Sequence, residues 1–249
     1  MLYLSVMNLI ARPWIVVALL SLLALSPAHA GMTPQEVEVF KDAKAWAEKG
    51  EAEGQLNLGI CYTKGEGVAK DDVEAVAWFR KAAVQGFAPA QTILGHRYFG
   101  GEGVPKDQVQ AVSWYRKAAE QGNASAQMSL GECYGGGKGV EKDFVQAVNW
   151  YRKASEQGYV LAQYNLGGCY ANGEGVAKDQ IEAYAYWNQG TVEYARKKLA
   201  ALEKQMTAEQ IAAGKKRTKE LKRELEDKIY ENALQKEFAA RIAEKPDRK

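Results

Sequence analysis

The sequence has few of the side chains that enzymes most often use for nucleophilic or acid–base chemistry. It contains two histidines and three cysteines in 249 residues. His29 lies in an apolar N-terminal segment, so a Ser-His-Asp or Cys-His arrangement in the rest of the chain would have to use His96. The Ser-x-x-Lys signature of penicillin-binding enzymes is also absent; Ser113, for example, is followed three residues later by Arg116. We therefore expect a protein that is not an enzyme.

The sequence also lacks an excess of charge of one sign and a hydrophobic run long enough to span a bilayer. Its 33 basic and 31 acidic residues give a formal net charge of +2. This balance argues against nucleic acid or an anionic membrane as the main partner, and so against an RNA-reading helical repeat. The apolar run from Trp14 to Leu25 is shorter than the roughly 20 residues of a transmembrane helix. We expect no integral membrane span.

The first 30 residues have the pattern of a cleaved signal peptide. Arg12 precedes the apolar run, and Ala28-x-Ala30 fits a signal-peptidase site. We therefore expect residues 1–30 to be removed, a mature chain that starts at Gly31, and a periplasmic or secreted protein.

The most informative feature that is present is a repeat with a period of 36 residues. The motif Gly-x-Gly-Val occurs at 65–68, 101–104, 137–140 and 173–176. Each copy also contains a Leu-Gly pair and, further on, two adjacent aromatic residues. The Leu-Gly pairs are Leu58-Gly59, Leu94-Gly95, Leu130-Gly131 and Leu166-Gly167, and the aromatic pairs are Trp78-Phe79, Trp114-Tyr115, Trp150-Tyr151 and Tyr186-Trp187. A constant period of about 20–50 residues is typical of stacked supersecondary units.

The pattern of each copy predicts two antiparallel helices. In the first copy, Gln55, Leu58, Gly59 and Tyr62 share one face of a helix that ends at the Gly-rich loop. An Asp then precedes a Glu or Gln by three residues, which resembles a capping box and predicts the start of a second helix. These Asp residues are Asp71, Asp107, Asp143 and Asp179. The mid-helix glycines cost roughly 1 kcal/mol relative to alanine. We expect them to permit close packing of the aromatic pair.

The recurring motif resembles that of the Sel1-like repeat family, relatives of the tetratricopeptide repeats. The resemblance implies an all-α fold, a right-handed α-solenoid of stacked antiparallel helix pairs with N- and C-terminal capping helices. The predicted repeats are 51–86, 87–122, 123–158 and 159–190 within 51–190, preceded by an N-terminal capping helix at 31–50 and followed by charged helices at 191–245 and a disordered tail at 246–249. Thr33-Pro34-Gln35-Glu36 combines a capping box with a proline in the first turn and so predicts the start of the N-terminal helix.

The charged C-terminal region carries one apolar stripe. Its members are Leu221, Leu225, Ile229, Leu234, Phe238 and Ile242. The stripe predicts a helix that either folds back on the last repeat or pairs with another helix as a short coiled coil. Lys215-Lys216-Arg217 is expected to be a solvated charge run.

The three cysteines occupy one equivalent position in three repeats. Cys61, Cys133 and Cys169 should therefore lie on the order of 10 Å apart between neighbours, too far for a disulfide or a shared metal. We expect the three cysteines to behave as small, buried apolar residues. The Asp residues are explained as helix caps and need no calcium. The sequence predicts no metal site and no cofactor.

A stripe of residues on the first helices differs from copy to copy although its neighbours are fixed. First helices line the concave surface in solenoids of the resembled family, so either a specific groove or drift on an unused surface explains this variation. Favouring the groove, we predict that a protein or peptide contacts Thr92, His96, Phe99, Met128, Glu132 and Tyr164. The predicted function is a non-catalytic interaction scaffold or adaptor of the cell envelope or secreted space. The alternative is a cell-wall-related hydrolase or inhibitor, β-lactamase-like or penicillin-binding, as described for some family members. The pattern predicts no particular partner or oligomeric state.

Overall fold

The computed structural model describes residues 32–189 and 193–243, and all regular elements in these ranges are α-helices. They are α1 (Pro34–Glu48), α2 (Ala52–Lys64), α3 (Asp72–Val84), α4 (Ala88–Gly100), α5 (Gln108–Glu120), α6 (Ala124–Gly136), α7 (Phe144–Ser155), α8 (Val160–Asn172), α9 (Gln180–Gln189), α10 (Glu193–Glu203) and α11 (Ala208–Ala243). The predicted signal peptide and the predicted disordered tail lie outside the described residues.

The chain divides into two compact units. The first contains the described residues up to Gln85 together with 102–104, and the second contains residues 86–101 and 105–243. In the first unit α1 packs on α2 and α2 on α3. In the second unit each helix from α4 to α8 packs on the next, and α9 also contacts α10 and α11. Each repeat that lies within one unit is thus a pair of packed helices, as the sequence predicts.

The predicted helix starts are confirmed in detail. Thr33 and Glu36 form a reciprocal capping box at α1, with Pro34 as its first residue. Beyond the helix starts predicted above, a further pair of reciprocal hydrogen bonds joins Thr207 and Gln210 at the start of α11. The four Asp residues accept backbone N–H bonds at the starts of α3, α5, α7 and α9, at distances between 2.8 and 3.1 Å. Each cap satisfies one or two N–H groups that have no partner within the helix.

The mid-helix glycines of the Leu-Gly pairs permit contact with an aromatic ring of the second helix. A Cβ on Gly95 would lie 2.5 Å from Tyr115, and one on Gly131 would lie 2.5 Å from Tyr151. Gly59 and Gly167 have the same relation to Phe79 and Trp187. The second residue of each aromatic pair therefore packs on bare helix backbone, and a methyl group would remove the space it occupies.

A pair of glutamine side chains joins the two helices of each of the first three repeats. In each pair, a Gln just after the second helix donates Nε2–H to Oε1 of a buried Gln on the first helix. The pairs are Gln85 with Gln55 at 2.8 Å, Gln121 with Gln91 at 2.7 Å, and Gln157 with Gln127 at 2.8 Å. These bonds satisfy buried amides that would otherwise destabilise the fold.

The fourth repeat departs from the others where the C-terminal helix covers it. In the first three repeats a half-buried Trp holds a lysine ammonium over its ring, as Lys117 does over Trp114 at 4.2 Å from the ring centroid. The equivalent residue in repeat four, Tyr186, is instead buried and stacked on Tyr170 with ring centroids 5.6 Å apart. Leu221 of α11 belongs to the same core cluster. The Trp-to-Tyr change in repeat four therefore replaces a half-buried Trp–Lys pair with a Tyr–Tyr pair that is covered by α11.

The first half of α11 folds back on α9, which selects one of the two arrangements predicted for the charged C-terminal region. Arg217 donates to Glu182 at 2.7 Å, so it is not the solvated residue that the sequence suggested. Lys228 extends this contact to Glu156 at the end of α7. The apolar stripe is split: Leu221 is buried, whereas Leu234 and Phe238 are 47% and 68% exposed. In the described part of the chain, no helix is both long and apolar enough to cross a membrane.

Candidate functional site

The first helices α4, α6 and α8 of the second unit place variable side chains at equivalent repeat positions. His96, Glu132 and Gly168 occupy the same position in repeats two, three and four. His96 and Glu132 are exposed, whereas the adjacent Gly95, Gly131 and Gly167 are buried against aromatic rings. Because the adjacent glycine faces the core in each of these repeats, this position points away from the core. Different amino acids can therefore occupy it without changing the packing.

His96 is fixed by a tyrosine of the second helix. Its Nδ1 lies 2.8 Å from the hydroxyl of Tyr115, and the two rings meet edge to face with centroids 5.1 Å apart. Burial raises the pKa of Tyr115 above its ordinary value of 10.0, and the charge of Glu132 raises it further. Tyr115 therefore keeps its proton at neutral pH, and its hydroxyl lies against His96.

A second tyrosine continues this row into repeat four. Burial, followed by the charge of Glu132, raises the pKa of Tyr151, and a hydrogen bond with Asn165 acts in the opposite direction. Asn165 also directs its Nδ2 towards the sulfur of Met128 at 3.6 Å. We call the residues His96, Glu132, Tyr164, Asn165 and Gly168 the first-helix face. Asn165 is not among the residues predicted from the sequence, because its position is neither constant between repeats nor apolar.

Glu132 combines an exposed side chain with a partly desolvated carboxyl group. Burial of this group raises its pKa above the ordinary 4.5, and the nearby Lys138 opposes the shift. A raised folded-state pKa means that the protonated form favours folding. The contribution of protonated Glu132 to the free energy of unfolding is fully present below pH 4.5, and it is lost as the pH rises through the raised pKa.

We therefore expect Glu132→Gln to be more stable than the parent protein at pH 7, with a difference that shrinks as the pH falls through the raised pKa and is absent below about pH 4.5. Urea unfolding at both pH values measures the two free energies. Glu141→Gln, at an exposed loop position of the same repeat, is the matched control and should change stability by less than about 0.5 kcal/mol. An equal effect of Glu132→Gln at both pH values would contradict the assigned burial.

Tyr164 forms the aromatic end of the first-helix face. Its ring meets Tyr194 edge to face with centroids 4.5 Å apart and lies 6.5 Å from the ring of Trp187. Its backbone oxygen accepts the indole N–H of Trp187 at 3.0 Å. The ring is half-buried and held on two sides, so it presents one edge in a fixed orientation.

Two of the predicted contact residues are buried, and this corrects the expectation of exposure. Met128 is 4% exposed and packs in the core cluster with Ala147 and Leu166. Thr92 is 5% exposed, and its hydroxyl donates to the backbone oxygen of Ala88 at 2.9 Å. Their position on the helix, one turn before His96 and Glu132, lies within the packed interior, so neither offers surface to a partner in this structure.

Phe99, another predicted contact residue, takes an intermediate position. Its ring is half-buried and packs against the core cluster of repeats two and three. The ammonium of Lys138 lies 5.5 Å from the ring centroid. The structure thus places His96, Glu132 and Tyr164 at or near the surface, with Phe99 partly covered.

The cysteines behave as buried apolar residues, as predicted. Cys61, Cys133 and Cys169 are free and buried. Burial raises the pKa of Cys133 and of Cys169 to about 11, so both remain thiols at neutral pH. Among the described residues, no group of His, Cys, Asp and Glu side chains is arranged to hold a metal ion.

Comparison with known proteins identifies the repeat. The Sel1 repeat model matches residues 52–87, 88–123, 124–159 and 160–190. A search of curated proteins found no match. Every boundary of this match lies within one residue of the boundary that the sequence period predicts.

Two solved structures resemble the chain in both sequence and fold. A Sel1 repeat protein from Oxalobacter formigenes is 35% identical, with a TM-score of 0.62, over 75% of this chain and 84% of that one. The protein c5321, a protective antigen of uropathogenic Escherichia coli strains with an SLR fold, is 34% identical, with a TM-score of 0.70. That match covers 79% of this chain and 43% of c5321, so the chain spans less than half of c5321. The predicted α-solenoid fold class is confirmed, and the chain belongs to the Sel1 repeat family.

Proposed function

We propose that the protein is a non-catalytic adaptor that binds a protein or peptide partner on the first-helix face of its second unit. Sel1 repeats commonly serve as protein–protein interaction scaffolds. The observation that carries the proposal concerns one position of the repeat. The packing around it is the same in repeats two, three and four, but the residue differs: His96, Glu132 and Gly168. An imidazole, a carboxylate and a bare stretch of backbone on a common scaffold provide partner-specific contacts without changing the fold.

The composition of this face is suited to binding another protein. Tyr and other aromatic residues are enriched at the energetic centres of interfaces, and polar groups around them set orientation. Tyr164 supplies a fixed aromatic edge, and His96 is held in place by the Tyr115 hydroxyl. A preordered surface loses less side-chain entropy on binding.

The contacts of the reactive groups support a non-catalytic role. Sel1-repeat proteins are generally non-catalytic scaffolds. His96 has one ring nitrogen against Tyr115, and the thiols of Cys133 and Cys169 are buried and protonated. The alternative hydrolase would require an activated nucleophile, and a buried thiol with a raised pKa is poorly suited to that role.

We also propose that the protein acts in the periplasm or outside the cell. The support is the leader pattern of residues 1–30, with cleavage after Ala30. Mass spectrometry of the protein from fractionated cells tests this directly. A periplasmic or secreted species that starts at Gly31 supports export, whereas an uncleaved chain in the cytoplasmic fraction overturns it.

The binding face is tested with two matched double variants. His96→Ala with Glu132→Ala removes two exposed side chains of the first helices, and Ser113→Ala with Asn149→Ala removes two exposed side chains at equivalent positions of the second helices. Crosslinking and affinity capture from envelope extract should show at least a tenfold loss of a specific partner with the first pair. The second pair should capture that partner as the parent protein does.

Circular dichroism melts of all variants separate lost binding from lost folding. Equal capture by both double variants would contradict the proposed face. Loss of capture by the second pair alone would place the partner on the second helices.

A further inference from the structure

A cleft of about 310 Å³ opens beside the first-helix face in repeats three and four. Its floor contains Gly135 of α6 and Gly168 of α8, and its walls include Tyr164, Asn165, Asn172 and Lys198. This volume lies at the lower end of the range of about 300–1,000 Å³ found for ligand pockets. The cleft therefore suits a single side chain rather than a large ligand.

The glycine floor has no explanation in the packing of the protein. A Cβ added at Gly168 would meet no atom within 4 Å, and one at Gly135 would make only ordinary contacts at 3.6 Å with Ala147 and Tyr151. Neither glycine has a positive φ. Glycine within a helix costs about 1 kcal/mol relative to alanine, so these two positions lower stability without a structural return. What they do supply is bare backbone that an incoming group can approach closely.

The walls of the cleft combine aromatic surface with polar groups at the rim. Tyr164 contributes a ring that Tyr194 holds in place, and Phe144 and Trp187 add further aromatic atoms. The amide nitrogens of Asn165 and Asn172 are directed at Met128 and Glu174 within the protein, so the amide oxygens and the ammonium of Lys198 are the hydrogen-bonding groups that the lining offers. Glu174 also lines the cleft, so its lining carries one acidic and one basic side chain.

These properties together select the chemistry of the occupant. A flat ring can lie on the glycine backbone and contact the aromatic walls. A phenolic hydroxyl can donate to an amide oxygen or accept from the ammonium, whereas a phenylalanine would displace water from these groups without replacing its hydrogen bonds. We infer that the cleft holds a tyrosine side chain of an extended peptide segment in the bound partner. The inference rests on the proposed function and names the anchor of that interaction.

The test uses short peptides in place of the partner. Acetylated pentapeptide amides with a central tyrosine, phenylalanine or alanine, flanked by glycines, are titrated into the isotope-labelled protein. Backbone amide shifts are followed by NMR at Gly135, Gly168 and Asn172. The tyrosine peptide should shift these signals with saturation, the phenylalanine peptide should bind more weakly, and the alanine peptide should bind at least tenfold more weakly.

Filling the cleft provides the matched variant. Gly168→Leu places a side chain into open space and should weaken the tyrosine peptide at least tenfold, whereas Ser113→Leu adds the same side chain to an exposed position of α5 and should not. Gly168→Ala adds a smaller side chain and is the second variant to use if the leucine disturbs folding. We expect it to weaken binding of the tyrosine peptide as well.

The outcomes separate this inference from the proposed function. Equal binding of tyrosine and alanine peptides, or full binding by Gly168→Leu, overturns the tyrosine site. If capture still depends on His96 and Glu132, the proposed face stands without it. If the peptide binds at the cleft but capture is independent of His96 and Glu132, the tyrosine site stands and the extent of the proposed face is wrong.

Discussion

Replacing Gly167 with alanine is expected to destabilise the protein by about 1–3 kcal/mol, because the added methyl group would overlap a packed indole ring. The new Cβ would lie 2.5 Å from both Cδ1 and Nε1 of Trp187. The ring cannot shift freely, since its N–H donates to the backbone oxygen of Tyr164 at 3.0 Å. The higher helix propensity of alanine offsets only part of this cost.

The same substitution one residue later provides the control. Gly168→Ala meets open space and is expected to stabilise the protein by up to about 1 kcal/mol through helix propensity alone. Urea unfolding of both variants measures the difference. Destabilisation by Gly168→Ala, or no effect of Gly167→Ala, would contradict the packing described for repeat four.

Replacing Leu221 with alanine is expected to destabilise the protein by about 2–5 kcal/mol, the usual range for a buried leucine. Leu221 is 8% exposed and belongs to the core cluster that contains Tyr186 and Ala185. Because the cluster lies where α11 meets α9, the loss should loosen the first half of α11 as well. Thermal and urea unfolding measure the change.

Leu234→Ala is the matched control on the same helix. Leu234 is 47% exposed and lies beyond the part of α11 that packs on α9. We expect its replacement to change stability by less than about 0.5 kcal/mol. Equal costs at Leu221 and Leu234 would contradict the packing of α11 by its first half.

The paired glycines of repeat four illustrate how far the sequence predicts the packing. The period of 36 residues marks Gly167 as a fixed position, and helix geometry assigns it to close packing, which the structure confirms at Trp187. Gly168 is the same amino acid on the same helix, and the repeat identifies it only as variable. Gly168 faces a cleft because residues of α7, α9 and α10 form the walls around it. The repeat period does not specify where those residues lie in space.

Burial on the variable stripe is the part of the candidate site that the sequence predicts least well. The equivalents of His96, Glu132, Thr92 and Met128 differ between repeats, and such variation predicts exposure. Met128 is instead covered by residues of the following repeat, including Ala162 and Leu166. A stack buries part of each first helix against the next unit, and the residue can change there as long as it still packs.

The glutamine pairs show the opposite case, because the sequence does contain a periodic signal for them. Gln85, Gln121 and Gln157 recur with the same period as Gln55, Gln91 and Gln127, and 30 residues separate the members of each pair. Two polar positions conserved in phase, one of them on a buried face, indicate a hydrogen bond within the repeat. The split stripe of α11 carried no comparable signal, because its apolar spacing is the same in the packed and the exposed half.

The most direct test of the binding face is site-specific photocrosslinking in living cells. A photoreactive amino acid is placed in turn at His96 and Glu132 on the first helices, and at Ser113 and Asn149 on the second helices, all of which are exposed positions. The proposed function predicts that His96 and Glu132 crosslink to the same partner and that Ser113 and Asn149 do not. Crosslinks to that partner from Ser113 and Asn149, with none from His96 and Glu132, would contradict it.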